Sequence, residues 1–180
     1  MKYADIKKFI GDCNYRIDVS LRYFKECISG YINSGLQLNP DFQRGNVWTQ
    51  EQQIKYMEFL IKGGKSSRLL YFNHPGWQKD FKGDFVCVDG LQRITAIQKF
   101  LNDELLVFGK YKLHDFEDYI HLLLDIRVTV CINNLKTRRE VLEWYIEFNS
   151  GGTIHSEQEI KRVKALLEKE NDKHMGAMQK

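Results

Sequence analysis

The stretch Phe85-Val86-Cys87-Val88-Asp89-Gly90-Leu91-Gln92-Arg93-Ile94 decides how the chain is read. Phe85 to Val88 fit a short buried strand. Asp89-Gly90 breaks it, and Ile94, Ile97 and Leu101 then recur at i, i+3 and i+7, the spacing of one helix face. A strand that turns into a helix on a glycine leaves backbone N–H groups at the positive end of the helix dipole, where a phosphate or another anion can sit. Two readings of the polar residues stand side by side. In one, Asp89 caps the helix, Gln92 reaches back as in a capping box, and Arg93 pairs with Asp89 four residues earlier. In the other the corner holds an anion. An arginine in the first turn is disfavoured by ~0.3–1 kcal/mol unless an anion compensates, and a simple cap has no need of Asp-Gly-x-Gln-Arg.

Upstream of this corner, a helical pattern begins at Asp18, with Leu21, Phe24, Ile28 and Ile32 on one face and Gly30 or Gly35 near its end. Leu36-Gln37-Leu38 reads as extended. Asn39 to Trp48 is a shaped loop marked by proline, glycine and asparagine. Thr49-Gln50-Glu51-Gln52 is a capping box for a helix carrying Ile54, Met57, Phe59, Leu60 and Ile61, stopped by Gly63-Gly64. Arg68 to Phe72 is a strand, followed by a His74-Pro75-Gly76 turn and a hairpin-like connection from Trp77 to Gly83. Residues 1–15 carry no pattern.

Downstream, Leu105 to Phe108 reads as a weak strand and Asp115 to Leu124 leans helical. Ile126, Val128, Val130 and Ile132 alternate with Arg127, Thr129 and Cys131, a half-exposed strand. Thr137-Arg138-Arg139-Glu140 opens a helix to about Phe148, and a turn from Asn149 to Thr153 follows. Ser156 to Glu159 caps a last helix with Ile160, Val163, Leu166 and Leu167, while residues 170–180 are expected to form a flexible tail. The expectation is one mixed α/β domain over 1–180, with a small mixed sheet flanked by helices.

Composition sets the outer bounds. The 180 residues are 43% apolar and 28% charged with two prolines, enough for a real core and too apolar for bulk disorder. A net charge of +3 permits a local basic groove without announcing a nucleic-acid protein. Cys13, Cys27, Cys87 and Cys131 form no C-x-x-C pair, and Cys87 and Cys131 read as reduced core residues in strands. No run approaches the ~20 apolar residues of a membrane span, and no apolar leader opens the chain, so a soluble cytoplasmic protein is expected.

Three glycine-marked polar loops concentrate the chemistry: Gln43-Arg44 with Trp48, Asp89 to Arg93, and Asn149 to Thr153. Together they supply arginines, side-chain amides, one carboxylate and a hydroxyl. That set suits holding and polarising a phosphate better than acyl transfer. No Ser-His-Asp or Cys-His arrangement, Walker A loop or G-x-G-x-x-G is present. His74, His114, His121, His155 and His174 lack metal-ligand spacing; His155 is notable only for following the third loop. Trp48 reads as a core anchor before a stacking platform. Lys161, Arg162 and Lys164 read as a solvated helix face that could also meet a nucleic-acid backbone.

At these loops the sequence resembles the N-terminal domain of GmrSD-type restriction endonucleases, whose fold resembles the ParB and sulfiredoxin nucleotide-binding domains. The family's Pro-x-Phe-Gln-Arg-x-x-Val-Trp is matched by Pro40, Phe42, Gln43, Arg44, Val47 and Trp48. Its Asp-Gly-Gln-Gln-Arg is matched at Asp89, Gly90, Gln92 and Arg93, and its Asn-x-Gly-Gly-Thr with a later glutamate at Asn149, Gly151, Gly152, Thr153 and Glu159. Order and spacing agree over residues 16–165. Leu91 replaces the first glutamine of the signature, and His155 stands where the family has leucine. Members that cleave DNA carry a separate His-Asn-His nuclease domain with no counterpart in this sequence, so cleavage by that route is not expected.

The resemblance implies a ParB-like domain that binds and hydrolyses a nucleoside triphosphate in DNA restriction, phage defence or counter-defence. Asp89, Gln92 and Arg93 would be catalytic, with Asp89 holding Mg²⁺ or orienting the attacking water. Gln43, Arg44, Gly90, Asn149, Gly151, Gly152 and Thr153 would bind the nucleotide. DNA, through Lys161, Arg162 and Lys164, or a host defence protein would be the macromolecular partner. Two alternatives remain: a non-catalytic module that grips nucleic acid or a defence protein, and a nicking nuclease.

Overall fold

Val128, Val130 and Ile132 are fully buried on one side of β4 (Arg127–Asn133), and their alternation sets that strand in the middle of the sheet. The fold is that of a computed structural model describing residues 14–150 and 157–178. Four strands form one sheet in the order β1 (Tyr15–Ser20), β4, β2 (Leu69–Asn73), β3 (Val86–Asp89). β4 pairs antiparallel with β1, from Tyr15 opposite Ile132 to Ser20 opposite Arg127, and parallel with β2, Leu70 lying opposite Val130. β2 and β3 are antiparallel, with an irregularity between Tyr71 and Phe72. The mixed α/β class expected from the pattern is the class observed.

Period-two alternation divides the core between the two faces of this sheet. Leu70, Phe72, Cys87 and the three β4 residues join Phe24 and Ile28 of α1 (Leu21–Asn33), Met57 and Leu60 of α2 (Gln50–Ile61), Ile94, Ile97 and Phe100 of α3 (Leu91–Leu101) and Leu123 of α4 (Tyr119–Asp125). Val86 and Val88 face the other way, onto Val141, Leu142, Trp144 and Tyr145 of α5 (Arg138–Ser150) and Val163 of α6 (Glu157–Met178). β3 is therefore covered on both faces, which is why its sequence runs apolar without alternating.

Most expected elements form where their patterns stood. Thr49 and Gln52 close a reciprocal capping box, with Gln52 N–H on Thr49 Oγ1 at 3.3 Å and Thr49 N–H on Gln52 Oε1 at 2.9 Å. Thr137 and Glu140 do the same at α5. Gly35, at φ 95°, terminates α1. Three expectations are corrected. The helix read from Asp18 begins only at Leu21, because Tyr15 to Ser20 are a strand whose antiparallel partner is β4. Leu105 to Phe108 is no strand but a turn closed by a single bridge between Val107 and Tyr111, with Phe108 at φ 51°. α6 continues to Met178, through most of the stretch read as a tail. Among the described residues Cys27, Cys87 and Cys131 form no disulfide with one another, and no helix is long and apolar enough to cross a membrane.

Candidate functional site

The outer edge of β3 is where the first two polar loops meet. Gln37, in the extended segment expected at 36–38, pairs with this edge: its N–H donates to Phe85 O and its carbonyl accepts from Cys87 N–H, both at 2.9 Å. The chain then leaves as the Asn39–Trp48 loop, and the side chain of Gln43 takes over as the next partner, Nε2 donating to Cys87 O at 2.7 Å. An amide side chain thus completes a ladder that the backbone has left. Phe42 anchors the same loop beneath, edge-on to Tyr145 at 5.3 Å. Asn39 Oδ1 accepts from Gly45 N–H at 3.1 Å, and Arg138 Nη2 donates to both carboxylate oxygens of Asp41.

At the corner, Gly90 adopts φ 133°, and a Cβ there would lie 2.8 Å from Leu70 Cδ2, so both backbone angle and space require glycine. Asp89 does not cap α3. Gly90 is the N-cap and, being glycine, supplies no capping side chain. Instead Asp89 Oδ2 accepts from Arg93 Nη2 in an ion pair that is mostly buried, Arg93 at 16% and Asp89 at 28% side-chain exposure. Of the first reading of this corner, the ion pair with Arg93 forms and the Asp89 cap does not.

Gln92 has a different task from reaching back to its own helix. Its Oε1 accepts from Val47 N–H at 3.0 Å and Trp48 N–H at 2.9 Å, and its Nε2 donates to Gly45 O at 2.7 Å. This one side chain ties the Gln43–Arg44 loop to the α3 start. Trp48 packs against the main core and meets Tyr56 edge-to-face at 5.4 Å, which makes it a core anchor. Arg44 is exposed on the tied loop.

Beneath the corner lies a polar interior that the sequence reading missed. Gln53 is buried, and its Nε2 donates to Trp48 O at 3.3 Å while its Oε1 has no partner among the described residues. Arg93 Nε is likewise buried and unpartnered among them. The Tyr56 hydroxyl donates to Ser67 O, and burial pushes its pKa up to about 12 against the opposing fields of Arg93 and Arg68. The Cys87 thiol, wholly enclosed, is also pushed up to about 12 by burial. Gln53 was findable: it stands four and seven residues before Met57 and Leu60, on the same buried face of α2.

The basic cluster on α6 splits. Arg162 Nη2 donates to Phe42 O at 2.9 Å and Gln43 O at 2.8 Å, holding the first loop from above, whereas Lys161 and Lys164 are exposed. Asn149 belongs to the end of α5, but its side chain, with Gly151, Gly152, Thr153 and His155, lies outside the described residues. Among the described residues no three His, Cys, Asp or Glu side chains gather as a metal site.

The geometry therefore brings Gln43, Gln92, Arg93, Asp89 and Gly90 together with the loop that carries Arg44, and joins Arg162 to them. No curated protein and no solved structure matches the chain. A protein-family model described as the N-terminal domain of the GmrSD restriction endonuclease matches residues 24–167, a span that contains both loops, the corner and α6 as far as Leu167. The chain belongs to the GmrSD restriction endonuclease N-terminal domain family.

Proposed function

We propose that the Asp89–Arg93 corner binds the phosphates of a nucleoside triphosphate and hydrolyses it, in the service of DNA restriction. The observation that carries this reading is the start of α3: a helix of 11 residues whose N-cap is a glycine with no side chain to cap it, with Arg93 beside it. Uncapped N–H groups and the helix dipole favour an anion there, and an arginine offers phosphate a planar, bidentate contact. The family match supports the restriction setting.

The roles follow from the bonds each residue keeps. Arg93 contacts phosphate oxygens after exchanging part of its pairing with Asp89. Arg44 reaches the same phosphates from the loop. Asp89, once released, orients the attacking water or takes part in metal binding. Gln92 is a positioning residue, since its amide is already committed to Gly45, Val47 and Trp48. Gln43 supports β3 in the same way. Asn149, Gly151, Gly152 and Thr153 enter through the family motif as further nucleotide contacts.

A single carboxylate fits Mg²⁺ held mainly by phosphates and water, not a protein-built metal cage. When bound with the nucleotide, that ion would neutralise charge on the phosphates. Lys161 and Lys164 are the cations left for DNA, Arg162 being committed to the loop.

The test is phosphate release from ATP, GTP and CTP with Mg²⁺, with and without DNA, beside the thermal shift each nucleotide causes. A shift with turnover supports the hydrolase. A shift without turnover assigns a binding module, and neither response refutes the reading. An intact chain that nicks DNA without nucleotide would place the chemistry elsewhere.

A further inference from the structure

At the opposite end of the β2–β3 pair from Asp89, beyond Asn73, a cleft of about 480 Å³ opens between the C-terminal half of α1 and the loop that follows β2. That volume lies within the ~300–1,000 Å³ range of small-ligand sites. Tyr31, His74, Trp77 and Phe81 line it, with Cys27 and Glu26 on the helix side. The rings meet edge to face: Tyr31 to Trp77 at 5.8 Å and 75°, Trp77 to Phe81 at 5.5 Å and 77°, His74 to Phe81 at 6.1 Å and 78°.

Three observations make this more than a gap in the packing. The loop is built at a conformational cost, with Gln78 at φ 60° and Phe81 at φ 52°, both in the left-handed region that ordinary side chains avoid. It is nonetheless tightly held: Phe81 N–H donates to Gly76 O at 3.0 Å, and a Cβ on Gly76 would strike the Lys82 backbone at 2.6 Å. The effect is to hold Phe81, 60% exposed, at the cleft. On the other wall, Gly30 sits inside α1 where glycine weakens a helix, and a Cβ there would meet nothing within 4 Å. The helix thus carries a glycine where the cleft has open space.

Charge selects the ligand. Glu26 is exposed and forms no ion pair among the described residues. The other lining groups are neutral at physiological pH: burial lowers the His74 pKa and raises those of the Cys27 thiol and the Tyr31 hydroxyl. Aromatic faces attract a desolvated cation, and a carboxylate at the rim adds to that attraction. We propose that the cleft between α1 and the His74–Gly83 loop is a binding site for an organic cation of the substituted-ammonium class, contacted by the rings of Tyr31, Trp77 and Phe81 and by Glu26.

The full chain is titrated with choline as probe, and with 3,3-dimethylbutan-1-ol, its uncharged carbon analogue, following the Trp77 indole by NMR. The proposal expects saturable shifts with choline and binding of the analogue weaker by roughly fivefold or more. Glu26→Gln and Phe81→Ala, both at exposed positions, should each weaken choline several-fold. Gly30→Leu fills the space from a helical position, so it should abolish the shifts while the melting temperature holds or rises. The proposal is overturned if choline gives no saturable response, if the uncharged analogue binds as well, or if Gly30→Leu leaves binding intact. Tighter binding of a neutral nucleoside would overturn it too. None of these outcomes depends on nucleotide binding at Asp89–Arg93.

Discussion

Gln92 and Trp48 are separated by 44 residues, yet Gln92 Oε1 accepts the Trp48 backbone N–H at 2.9 Å and so fixes one polar loop against the helix start of another. Gln92→Ala leaves the Val47 and Trp48 N–H groups and the Gly45 carbonyl without this partner. It should cost about 1–3 kcal/mol in urea unfolding. Native-state hydrogen exchange should show faster exchange at Val47 and Trp48 while the β4 amides keep their protection. Unchanged protection at Val47 would mean that the loop is held without Gln92.

Arg93 and Asp89 separate stability from ligand binding. Arg93→Ala removes a partly buried, charged hydrogen bond and should cost about 1–3 kcal/mol. The protein should remain folded and lose the thermal shift caused by Mg-nucleotide. Asp89→Asn should cost a similar amount, because the pairing is lost although no cap is. It should keep nucleotide binding and lose most phosphate release. An Arg93→Ala protein that still responds to nucleotide would remove Arg93 from the site.

Gly90→Ala tests the corner itself. The φ of 133° and the approach to Leu70 both oppose a side chain, and Leu70 is fully buried with little room to yield. A loss of about 1–3 kcal/mol, or roughly 2–10 °C in melting temperature, is expected. A control at Gly63→Ala, also at positive φ but with open space around its Cβ, should lose less.

Acid should weaken the fold in two steps. His74 is buried and accepts from Gly76 N–H through Nδ1 at 3.1 Å, and burial holds its pKa below the ordinary 6.5. The unfolded chain binds that proton first, so stability present above pH 6.5 falls as the pH drops below it. The Glu140 carboxyl is held below 4.5 by hydrogen bonds, first from the Thr137 N–H, and its contribution fades at lower pH still. Melting temperature followed from pH 8 to about 2 should show both slopes. His74→Asn, which keeps an acceptor for a short turn, should flatten the upper one.

Arg162→Ala should loosen the Gln43 loop, whereas Lys161→Ala and Lys164→Ala should leave stability within about 0.5 kcal/mol. If all three variants reduced DNA binding equally without affecting the loop, Arg162 would belong with the lysines on a nucleic-acid face.

Local chemistry made much of this legible. Thr49 and Gln52 announced a helix start because the box needs only four adjacent residues, and Asp89-Gly90 announced the corner because only glycine accepts that angle. β1 escaped although Tyr15, Ile17 and Val19 alternate, because the strand enters α1 with no glycine or proline between them. The roles of Gln92 and Arg162 could not be read at all. Each bonds to backbone atoms more than 40 residues away, and no spacing along the chain encodes such a partner.

The pairing of β1 with β4 also governs the order in which the chain can acquire its shape. Asp18 and Thr129 are hydrogen-bonded across 111 residues, and β4 lies between β1 and β2 in the sheet. On the ribosome, β1, made before the other described strands, is therefore among the last of them to find its place. Until residue 133 has emerged, Tyr15–Ser20 lacks its partner and one edge of β2 stays open. Closing so long a loop is slow, and an open edge invites pairing with other chains. Synthesis of this protein thus passes through an interval in which β2 and β3 can pair but the sheet cannot close, and the arrival of β4 ends it.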